Sequence, residues 1–172
     1  MMESATGMKR LLSVVALTAC VVVLVACGSA PSPELAGTPS PASLHPLGTP
    51  VSTGAIVVTV NGVSQPTGGT RPKPGDRYLA VDLTLENDSN QVTDISTLVM
   101  MWLRDSAGHI YRPNVTATNV ATQSQETMDG PLVPTEPDRG KVGFQVPNGA
   151  HGFIFQFQPR LNGPITSFDL KQ

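Results

Sequence analysis

The segment Arg77-Tyr-Leu-Ala-Val-Asp-Leu-Thr-Leu-Glu-Asn87 decides the fold class of this chain. Every second residue from Leu79 to Leu85 is Leu or Val, and the residues between them include Asp82 and Thr84. Successive side chains of a β-strand point to opposite faces, so this alternation predicts a strand with one core face and one solvated face. The segment therefore favours an all-β domain.

Other segments on either side of this one also have strand character. They are rich in β-branched or aromatic residues, or alternate in the same way, and turn residues separate them. We interpret as strands Ala55–Val63, which ends near an Asn-Gly turn signal, Thr97–Asp105, His109–Arg112, Arg139–Val146, Gly152–Phe157 and Ile165–Leu170. About seven short strands at this spacing predict a β-sandwich.

The composition agrees with short strands and long connections. With 16 Gly and 16 Pro, the chain favours turns and Pro-rich linkers over long helices. The stretch Pro113–Pro137 is polar and Thr-rich, and we predict a long crossing connection there with one edge strand. Such loops often carry binding function, although a sandwich needs crossing connections in any case.

The N-terminus has the layout of a secretory signal peptide. Lys9 and Arg10 form a positive region, and the almost wholly apolar run Leu11–Ala26 follows them. Translation from Met8 fits this layout better than translation from Met1, and the sequence leaves both open. We predict that residues 1–26 are removed.

The run ends Leu24-Val-Ala-Cys27, which resembles the lipobox of bacterial lipoproteins. The resemblance implies cleavage between Ala26 and Cys27 and acylation of the Cys27 thiol. Each buried CH₂ contributes about 0.8 kcal/mol, so several acyl chains would hold the protein to the outer face of the cell membrane. The alternative is a transmembrane anchor with an unmodified cysteine.

The cysteines also limit how the domain is stabilised. The chain has 2 cysteines, and Cys20 would leave with the signal peptide. The mature protein could then form no intramolecular disulfide, and its core alone would stabilise it. Between the anchor and the domain, residues 27–54 are rich in Pro, Ser, Gly and Thr, and we predict a disordered tether in which His45 is solvated. The sandwich would occupy residues 55–172.

The charge of the chain bears on its partners. Charged residues make up 14% of the chain, and its formal net charge is −2. A phosphate-binding surface needs a clear excess of Lys and Arg. Nucleic acid is therefore not an expected partner.

Residues suited to catalysis or transition metals are scattered. No Gly-x-Ser-x-Gly motif accompanies the serines, and His45, His109 and His151 have no metal-ligand spacing. Thioether and imidazole ligands suit copper, but methionines of a strand pattern are more often core residues. The copper candidates are Met100, Met101 and Met128 with His109. We expect no cofactor and no catalytic site.

Acidic and aromatic residues give two further candidate surfaces. Glu86, Asp88 and Asp94 bracket a turn that could offer oxygen ligands to calcium, but without an Asp-x-Asp-x-Asp series we favour a solvated hairpin. Asp129 belongs to a second sparse acidic group with Glu136 and Asp138. We keep Glu86, Asp88, Asp94 and Asp129 as candidate binding-loop residues. Trp102 and Tyr111 could form an aromatic binding face, but a sandwich core commonly uses one Trp in a middle strand, and we favour core positions for them.

Three segments together resemble a known family. They are Gly75–Asn87, then Leu103 with Asp105-Ser-Ala-Gly108 and Tyr111, and Gly140-Lys-Val-Gly-Phe-Gln-Val-Pro147. Their order and spacing are similar to those of the bacterial lipoprotein domain of unknown function 4352, over roughly Ile56 to Leu170. The resemblance implies an immunoglobulin-like sandwich, similar in fold to a secreted immunoprotective antigen. The stretch Thr116–Asp129 departs from the pattern, and the family brings no established activity.

These observations lead to two main functional hypotheses. The first is a membrane-anchored, extracytoplasmic, non-enzymatic binding or accessory module that contacts an envelope protein, a peptide or a glycan. The second is a small-ligand or metal-binding lipoprotein, which requires a concave pocket with convergent polar groups. A hydrolase is a third alternative, and a domain without a spatial cluster of Asp, His or Ser would exclude it.

Overall fold

Two stacked β-sheets form the fold, which confirms the predicted β-sandwich. The computed structural model describes residues 43–123 and 127–172, so the predicted signal peptide, the lipidation site at Cys27 and the tether up to residue 42 lie outside the described residues. In chain order the elements are β1 (Leu44–His45), β2 (Val51–Thr53), β3 (Ile56–Ser64), β4 (Asp76–Asn87), β5 (Thr93–Ile95), α1 (Thr97–Met100), β6 (Met101–Arg104), β7 (Ile110–Tyr111), α2 (Val115–Thr122), β8 (Gly130–Leu132), β9 (Asp138–Pro147), β10 (Ile154–Phe157) and β11 (Thr166–Asp169).

The strands form a five-stranded and a four-stranded sheet. The five-stranded sheet has the order β1-β11-β10-β6-β7, and the four-stranded sheet has the order β2-β3-β4-β9. A small third sheet pairs β5 with β8. Strand β1 runs parallel to β11, and the other strand pairs are antiparallel. None of the helices among the described residues has the length and apolar character needed to cross a membrane.

The core lies between the two sheets, where the sequence alternation predicts it. The four alternating residues from Leu79 to Leu85 in β4 are fully buried. From the other sheet, Phe155, Phe157 and Phe168 are equally buried in the same core. A fully buried Leu or Phe side chain contributes about 1.5–3 kcal/mol relative to an exposed one. These residues therefore dominate the stability of the domain.

The outward face of β4 is less solvated than the alternation predicts. Tyr78 and Ala80 are 4% and 1% exposed. Ala80 pairs with Gly143 of β9, and helix α2 packs against both strands at this position. The expectation of a wholly wet outer face is wrong here because a helix covers part of the sheet.

Helix α2 is fixed to the edge strand β9 at Gly143. A Cβ atom at Gly143 would lie 2.3 Å from the backbone of Ala117 and Thr118, so only glycine allows this approach. The backbone N–H of Asn114 donates to the Gly143 carbonyl over 2.8 Å, and the backbone N–H of Gly143 donates to Thr118 Oγ1 over 2.9 Å. The helix therefore satisfies backbone groups that an edge strand would otherwise leave open.

The predicted crossing connection Pro113–Pro137 contains this helix, which the sequence prediction omits. Asn114 caps the helix, since its side chain accepts a hydrogen bond from the Ala117 N–H over 2.9 Å. The edge strand predicted in this stretch corresponds to β8. Local periodicity did not indicate α2 because docking on β9, more than an apolar face of its own, stabilises it.

The folded domain begins before residue 55, so the predicted tether boundary is wrong. Residues 44–53 form β1 and β2, and Leu47 and Val51 pack against the core. His45, predicted to be solvated, is half-buried, with its ring centroid 5.7 Å from that of Phe168. Prolines fit turns and sheet edges, so a Pro-rich composition does not exclude short edge strands.

Two strand boundaries also differ from the prediction. Asn61-Gly62 lies within β3, where the pairing register shifts at a bulge, and it does not form a turn. Residues Thr97–Met100 form a short helix, so that strand begins at Met101. The short helix follows from a contact distant in sequence, because Asp129 accepts hydrogen bonds from the N–H and the hydroxyl of Thr97.

Candidate functional site

The turn between β6 and β7 gathers a carboxylate, a histidine and a tyrosine. Asp105 is 6% exposed, and its Oδ1 accepts a hydrogen bond from the His109 N–H over 2.8 Å. Its Oδ2 accepts from the Tyr111 hydroxyl over 2.8 Å and lies 3.0 Å from His109 Nδ1. Both oxygens of the buried carboxylate are thus used within the turn.

These contacts set the ionisation of the Asp105–Tyr111 pair. Burial alone raises the pKa of Asp105, but the hydrogen bonds from Tyr111 and His109 outweigh burial and lower it to about 2. Burial and the hydrogen bond to Asp105 raise the pKa of Tyr111 to about 12. At neutral pH the carboxyl stays ionised and the phenol stays neutral. Neither group is suited to proton transfer in that range.

The fold also brings His151 to this turn, at Ser106. Ser106 Oγ lies 3.1 Å from His151 Nδ1, and the Ser106 N–H donates to the His151 carbonyl. An Asp–His–Ser relay requires the aspartate to orient the histidine that contacts the serine. Here Asp105 contacts His109 and Tyr111 instead, so the cluster consists of that group of three and a separate Ser106–His151 pair. Sequence reasoning did not predict that His109 and His151 flank the same turn, because His151 lies in the distant connection from β9 to β10, which crosses between the two sheets.

The four acidic candidates do not converge on one loop. Glu86 and Asp94 are exposed on β4 and β5, and Asp88 is exposed in the turn between these strands. Asp129 binds Thr97 instead, with 2.7 Å between its Oδ1 and the Thr97 N–H. Among residues 43–123 and 127–172, no three His, Cys, Asp or Glu side chains are grouped so that they could hold a metal ion.

Asn87 organises the turn that these acidic residues bracket, and sequence reasoning missed it. It is 1% exposed, and its Nδ2 donates to the carbonyls of Gln91 and Leu132 over 2.8 and 2.9 Å. The amide oxygen accepts from the Ser89 N–H and hydroxyl. The available signal was its position at the end of the alternating strand, where Asn commonly stabilises a turn.

The methionines considered for copper belong to the interior. Met101 is fully buried in the core, and Met128 is 4% exposed. Met128 packs against Gly140, where a Cβ atom would come within 2.5 Å of its Cγ. Met100 is partly buried against the same core. These positions agree with the prediction that the methionines are core residues and not copper ligands.

Trp102 and Tyr111 lie on opposite faces of the five-stranded sheet. Tyr111 points inward and meets Phe153 edge-on, with 6.0 Å between ring centroids. Trp102 points outward, because its neighbours Met101 and Leu103 are the fully buried residues of β6. The two aromatic candidates therefore do not form one face. Trp102 lies on the outer face of the sheet, but it is only 8% exposed, so most of its side chain is buried.

A row of hydrogen bonds crosses the outer face beside Trp102. Trp102 Nε1 donates to Gln156 Oε1 over 2.8 Å, and Gln156 Nε2 donates to Ser167 Oγ over 3.2 Å. Leu44 extends this row, since it pairs with Ser167. The Arg112 guanidinium lies 5.1 Å from the centroid of the Trp102 ring, in a cation–π contact.

A second row on this face combines aliphatic residues with Arg104 and the acidic Asp169. Arg104 pairs with Ile154 on one side and with Ile110 on the other. Ile110 is 59% exposed, and Leu44 in the first row is 51% exposed. We call the two rows together the Trp102 face, defined as Leu44, Trp102, Arg104, Ile110, Arg112, Ile154 and Gln156.

The outer face of the four-stranded sheet has a different chemistry. Arg139 donates two hydrogen bonds to Asp82 over 3.0 and 3.1 Å, and Asn61 donates a third to Asp82 over 2.9 Å. Burial raises the pKa of Asp82, but the bonds from Arg139 and Asn61 reverse this and lower it. This face is occupied by internal polar contacts and by α2.

Residues 45–164 match the family model named Domain of unknown function (DUF4352). The chain belongs to this family. The match spans more than half of the chain. It begins within β1 and includes β2, both of which precede the start suggested by the sequence resemblance. A comparison with curated proteins gives no significant match.

Solved structures similar to this DUF4352 protein share its fold. The yjhA protein from Bacillus subtilis has a TM-score of 0.58 and 18% identity, over 74% of this chain and 99% of that one. A secreted protein from Mycobacterium tuberculosis, MPT63, has a TM-score of 0.52 and 11% identity, over 76% and 98%. A β-sandwich protein from Clostridium difficile 630 has a TM-score of 0.50 and 13% identity, over 78% and 99%. At these identities the likeness shows the fold alone.

The residues of the β6–β7 turn that resemble the DUF4352 pattern stabilise the conformation of that turn. The Gly108 N–H donates to the Asp105 carbonyl over 3.0 Å, and Gly108 has a φ of +89°, which favours glycine. Tyr111 and His109 then bind the Asp105 side chain, as described above. The Asp-Ser-Ala-Gly segment with Tyr111 therefore stabilises a tight turn.

Proposed function

We propose that this DUF4352 protein is a lipid-anchored, extracytoplasmic, non-enzymatic binding module, and that its Trp102 face contacts a folded protein of the cell envelope. The observation that carries the proposal is the combination of Trp102, Arg112 and exposed aliphatic side chains on one sheet face. Leu44, Ile110 and Arg112 are exposed around Trp102, which is itself 8% exposed. Exposed side chains on a sheet face suit a protein partner better than an enclosed small molecule.

The proposed location rests on the sequence. Lys9, Arg10 and the apolar run before Cys27 match a lipoprotein signal, and Cys27 would carry the lipid. Fifteen residues separate Cys27 from Ser43, the first described residue. At up to roughly 3 Å per residue, that segment would keep the domain within about 50 Å of the membrane. The partner would then be a membrane protein or a component close to the membrane.

The chemistry of the Trp102 face supports a protein partner. Trp, Tyr and Arg are the residues that most often dominate binding energy at protein interfaces. The hydrogen bond to Gln156 and the contact with Arg112 hold the indole in one orientation before binding, which lowers the entropic cost of association. Arg104 and Arg112 outnumber Asp169, the acidic residue that pairs with Ile154 on this sheet. The partner surface should therefore be apolar at its centre and acidic at its rim.

The non-enzymatic part of the proposal rests on how the polar groups are used. Asp105 binds His109 and Tyr111, whereas His151 binds Ser106, so no aspartate orients the serine-bound histidine. A Ser106→Ala variant should leave partner binding and any envelope phenotype unchanged. Loss of a phenotype with Ser106→Ala while binding persists would contradict this part of the proposal.

Site-specific photocrosslinking in cells would test the binding face. A photoreactive amino acid at Ile110 should capture one defined envelope protein, whereas the same group at Glu86, which is exposed on the opposite sheet, should not. Because Val92 is similarly exposed at 57%, Val92→Asp is a matched control for Ile110→Asp. The captured protein would then be purified and its binding to the full mature chain measured.

The expected result is that Ile110→Asp and Arg112→Glu each weaken binding at least tenfold, while Val92→Asp leaves it within twofold. A charge reversal of the acidic partner residue nearest Arg112 should restore binding to Arg112→Glu. Equal capture from Ile110 and Glu86, or capture of a glycan or an unfolded peptide in place of a folded protein, would contradict the proposed face and partner.

A further inference from the structure

A cleft opens at one end of the sandwich, away from the β6–β7 turn. It has a volume of about 540 Å³, within the range of small-ligand sites. One wall is the β2–β3 hairpin of the four-stranded sheet, and the other is the β10–β11 loop of the five-stranded sheet. The lining residues are Thr93 with residues 53–56 and 159–164.

Thr53, at the base of this cleft, has a buried hydroxyl without a partner. The residue is 2% exposed, and its Oγ1 makes no hydrogen bond within residues 43–123 and 127–172. Thr53 pairs with Ile56, which is a core residue, so its side chain points into the space between the sheets. Valine has nearly the same shape, suits a strand equally well and carries no polar group to desolvate. A buried hydroxyl without a protein partner is uncommon, and a bound water or ligand can supply the missing hydrogen bond.

The loop that covers the cleft provides a cation and an exposed apolar side chain. Leu161 is 85% exposed, although a large aliphatic side chain gains by burial. Arg160 beside it is exposed and forms no salt bridge with any described residue, and none of the residues that line the cleft is acidic. The cleft therefore offers positive charge from Arg160. Asp88, whose N–H donates to the Ala55 carbonyl over 2.9 Å, and Asp94 adjoin lining residues but do not line the cleft themselves.

The loop is ordered by contacts that do not involve these side chains. Gln158 Nε2 donates to the Gly163 carbonyl over 2.9 Å, and the Gly163 N–H donates to the Arg160 carbonyl over 2.8 Å. Asn162 has a φ of 64° in the same turn. The side chains of Arg160 and Leu161 are thus free to close over a bound molecule.

We propose that this cleft binds a small carboxylate with a short apolar chain. One carboxylate oxygen accepts a hydrogen bond from the Thr53 hydroxyl, and Arg160 pairs with the other oxygen. The apolar chain lies against Leu161 at the mouth. Because the Thr53 hydroxyl is buried, the ligand reaches it by a small outward shift of the 159–164 loop. The site is independent of the Trp102 face and adds small-ligand binding to the proposed protein binding.

The test uses the full chain in detergent and hexanoate as the probe, with hexanol and hexylamine as matched neutral and cationic molecules. Isothermal titration and ligand-observed NMR would measure the affinity. We expect saturable binding of hexanoate at one site, at least tenfold tighter than binding of hexanol or hexylamine. No saturable binding of hexanoate, or equal binding of the three probes, would overturn the proposal.

Two variants assign the binding to the cleft. Thr53→Val and Arg160→Gln should each weaken hexanoate binding at least tenfold, and thermal unfolding should show that both remain folded. Thr59→Val and Arg71→Gln make the same changes outside the cleft and should stay within twofold of wild type. If Thr53→Val binds hexanoate as wild type does, the hydroxyl has no part in recognition and the proposal fails.

Discussion

Replacing Gly143 by alanine tests whether helix α2 is held by the close approach to β9. The added Cβ would lie 2.3 Å from backbone atoms of Ala117 and Thr118, a distance that no rotamer change can relieve. The helix must therefore move away, and the hydrogen bonds joining Gly143 to Asn114 and Thr118 are lost or lengthened. We expect the free energy of unfolding to fall substantially.

The magnitude follows from these contacts. Each hydrogen bond is worth about 1 kcal/mol net, and forcing an extra methyl group into a packed site costs about 1–3 kcal/mol. The expected loss for Gly143→Ala is about 3–5 kcal/mol, a large share of the roughly 5–15 kcal/mol that stabilises a typical domain. Gly62→Ala is the matched control, because a Cβ there meets no atom within 4 Å. Its stability should change by less than about 1 kcal/mol.

Urea unfolding at 25 °C, followed by far-UV circular dichroism and by the fluorescence of Trp102, would measure both variants. Hydrogen exchange of the Ala117 and Thr118 amides would show whether the helix detaches before the sandwich unfolds. The reasoning is refuted if Gly143→Ala unfolds at the same urea concentration as Gly62→Ala and the two amides keep their protection.

Three further predictions concern other parts of the chain. The pKa of Asp105 is lowered to about 2 from 3.8, so its contribution to stability is complete above about pH 4 and is lost as the pH falls towards 2. Urea titrations at stepped pH would compare wild type with Tyr111→Phe. The difference between their free energies of unfolding should shrink as the pH falls from 4 to 2. A constant difference would contradict a stabilising hydrogen bond from Tyr111 to Asp105. Asn87→Ala should lower the free energy of unfolding by about 2–3 kcal/mol because buried carbonyls lose their donor, whereas Asn90→Ala at an exposed position should change it by less than about 0.5 kcal/mol. Cys27→Ala should abolish acyl mass and membrane flotation of the natively expressed protein, and an unmodified Cys27 in wild type would disprove the anchor.

The parts of the fold that could be predicted from sequence depend on local alternation. Two strands show this most clearly, because each is buried on one side. Leu79 to Leu85 alternate with period two, and Gln156 points outward between Phe155 and Phe157. The strand face is then fixed by the hydrophobic pattern itself. This is why the sandwich and most of its core were predicted correctly.

The parts that could not be predicted depend on contacts between distant residues. Strand β1 forms because Leu44 and His45 pair with the last strand of the domain. Helix α2 forms where Asn114 caps it and Gly143 lets it approach, and neither residue alters the local apolar period. Sequence alone also gave no register between β6 and β10. The Trp102–Gln156 contact that organises the outer face was therefore not visible.

The candidate site was only partly predictable for the same reason. Trp102 and Tyr111 were interpreted as core residues in preference to an aromatic binding face, and Trp102 is indeed 8% exposed. The two lie on opposite faces because Tyr111 pairs with Leu103, and consecutive residues of a strand alternate between faces. The cation at Arg112 and the hydroxyl at Thr53 carry no sequence motif. Their importance follows from burial and from neighbours on other strands.

The parallel pairing of β1 with β11 has a mechanical consequence. Tension transmitted along the chain from its N-terminal side enters the domain at Leu44, where two residue pairs join the first strand to the last. Those pairs and the short β2 would separate before the long β3–β4 ladder comes under load. Release of residues 44–53 would lengthen the connection by roughly 30 Å while the central sheet stays folded. The first two strands would thus act as an extensible joint between the domain and whatever holds its N-terminus.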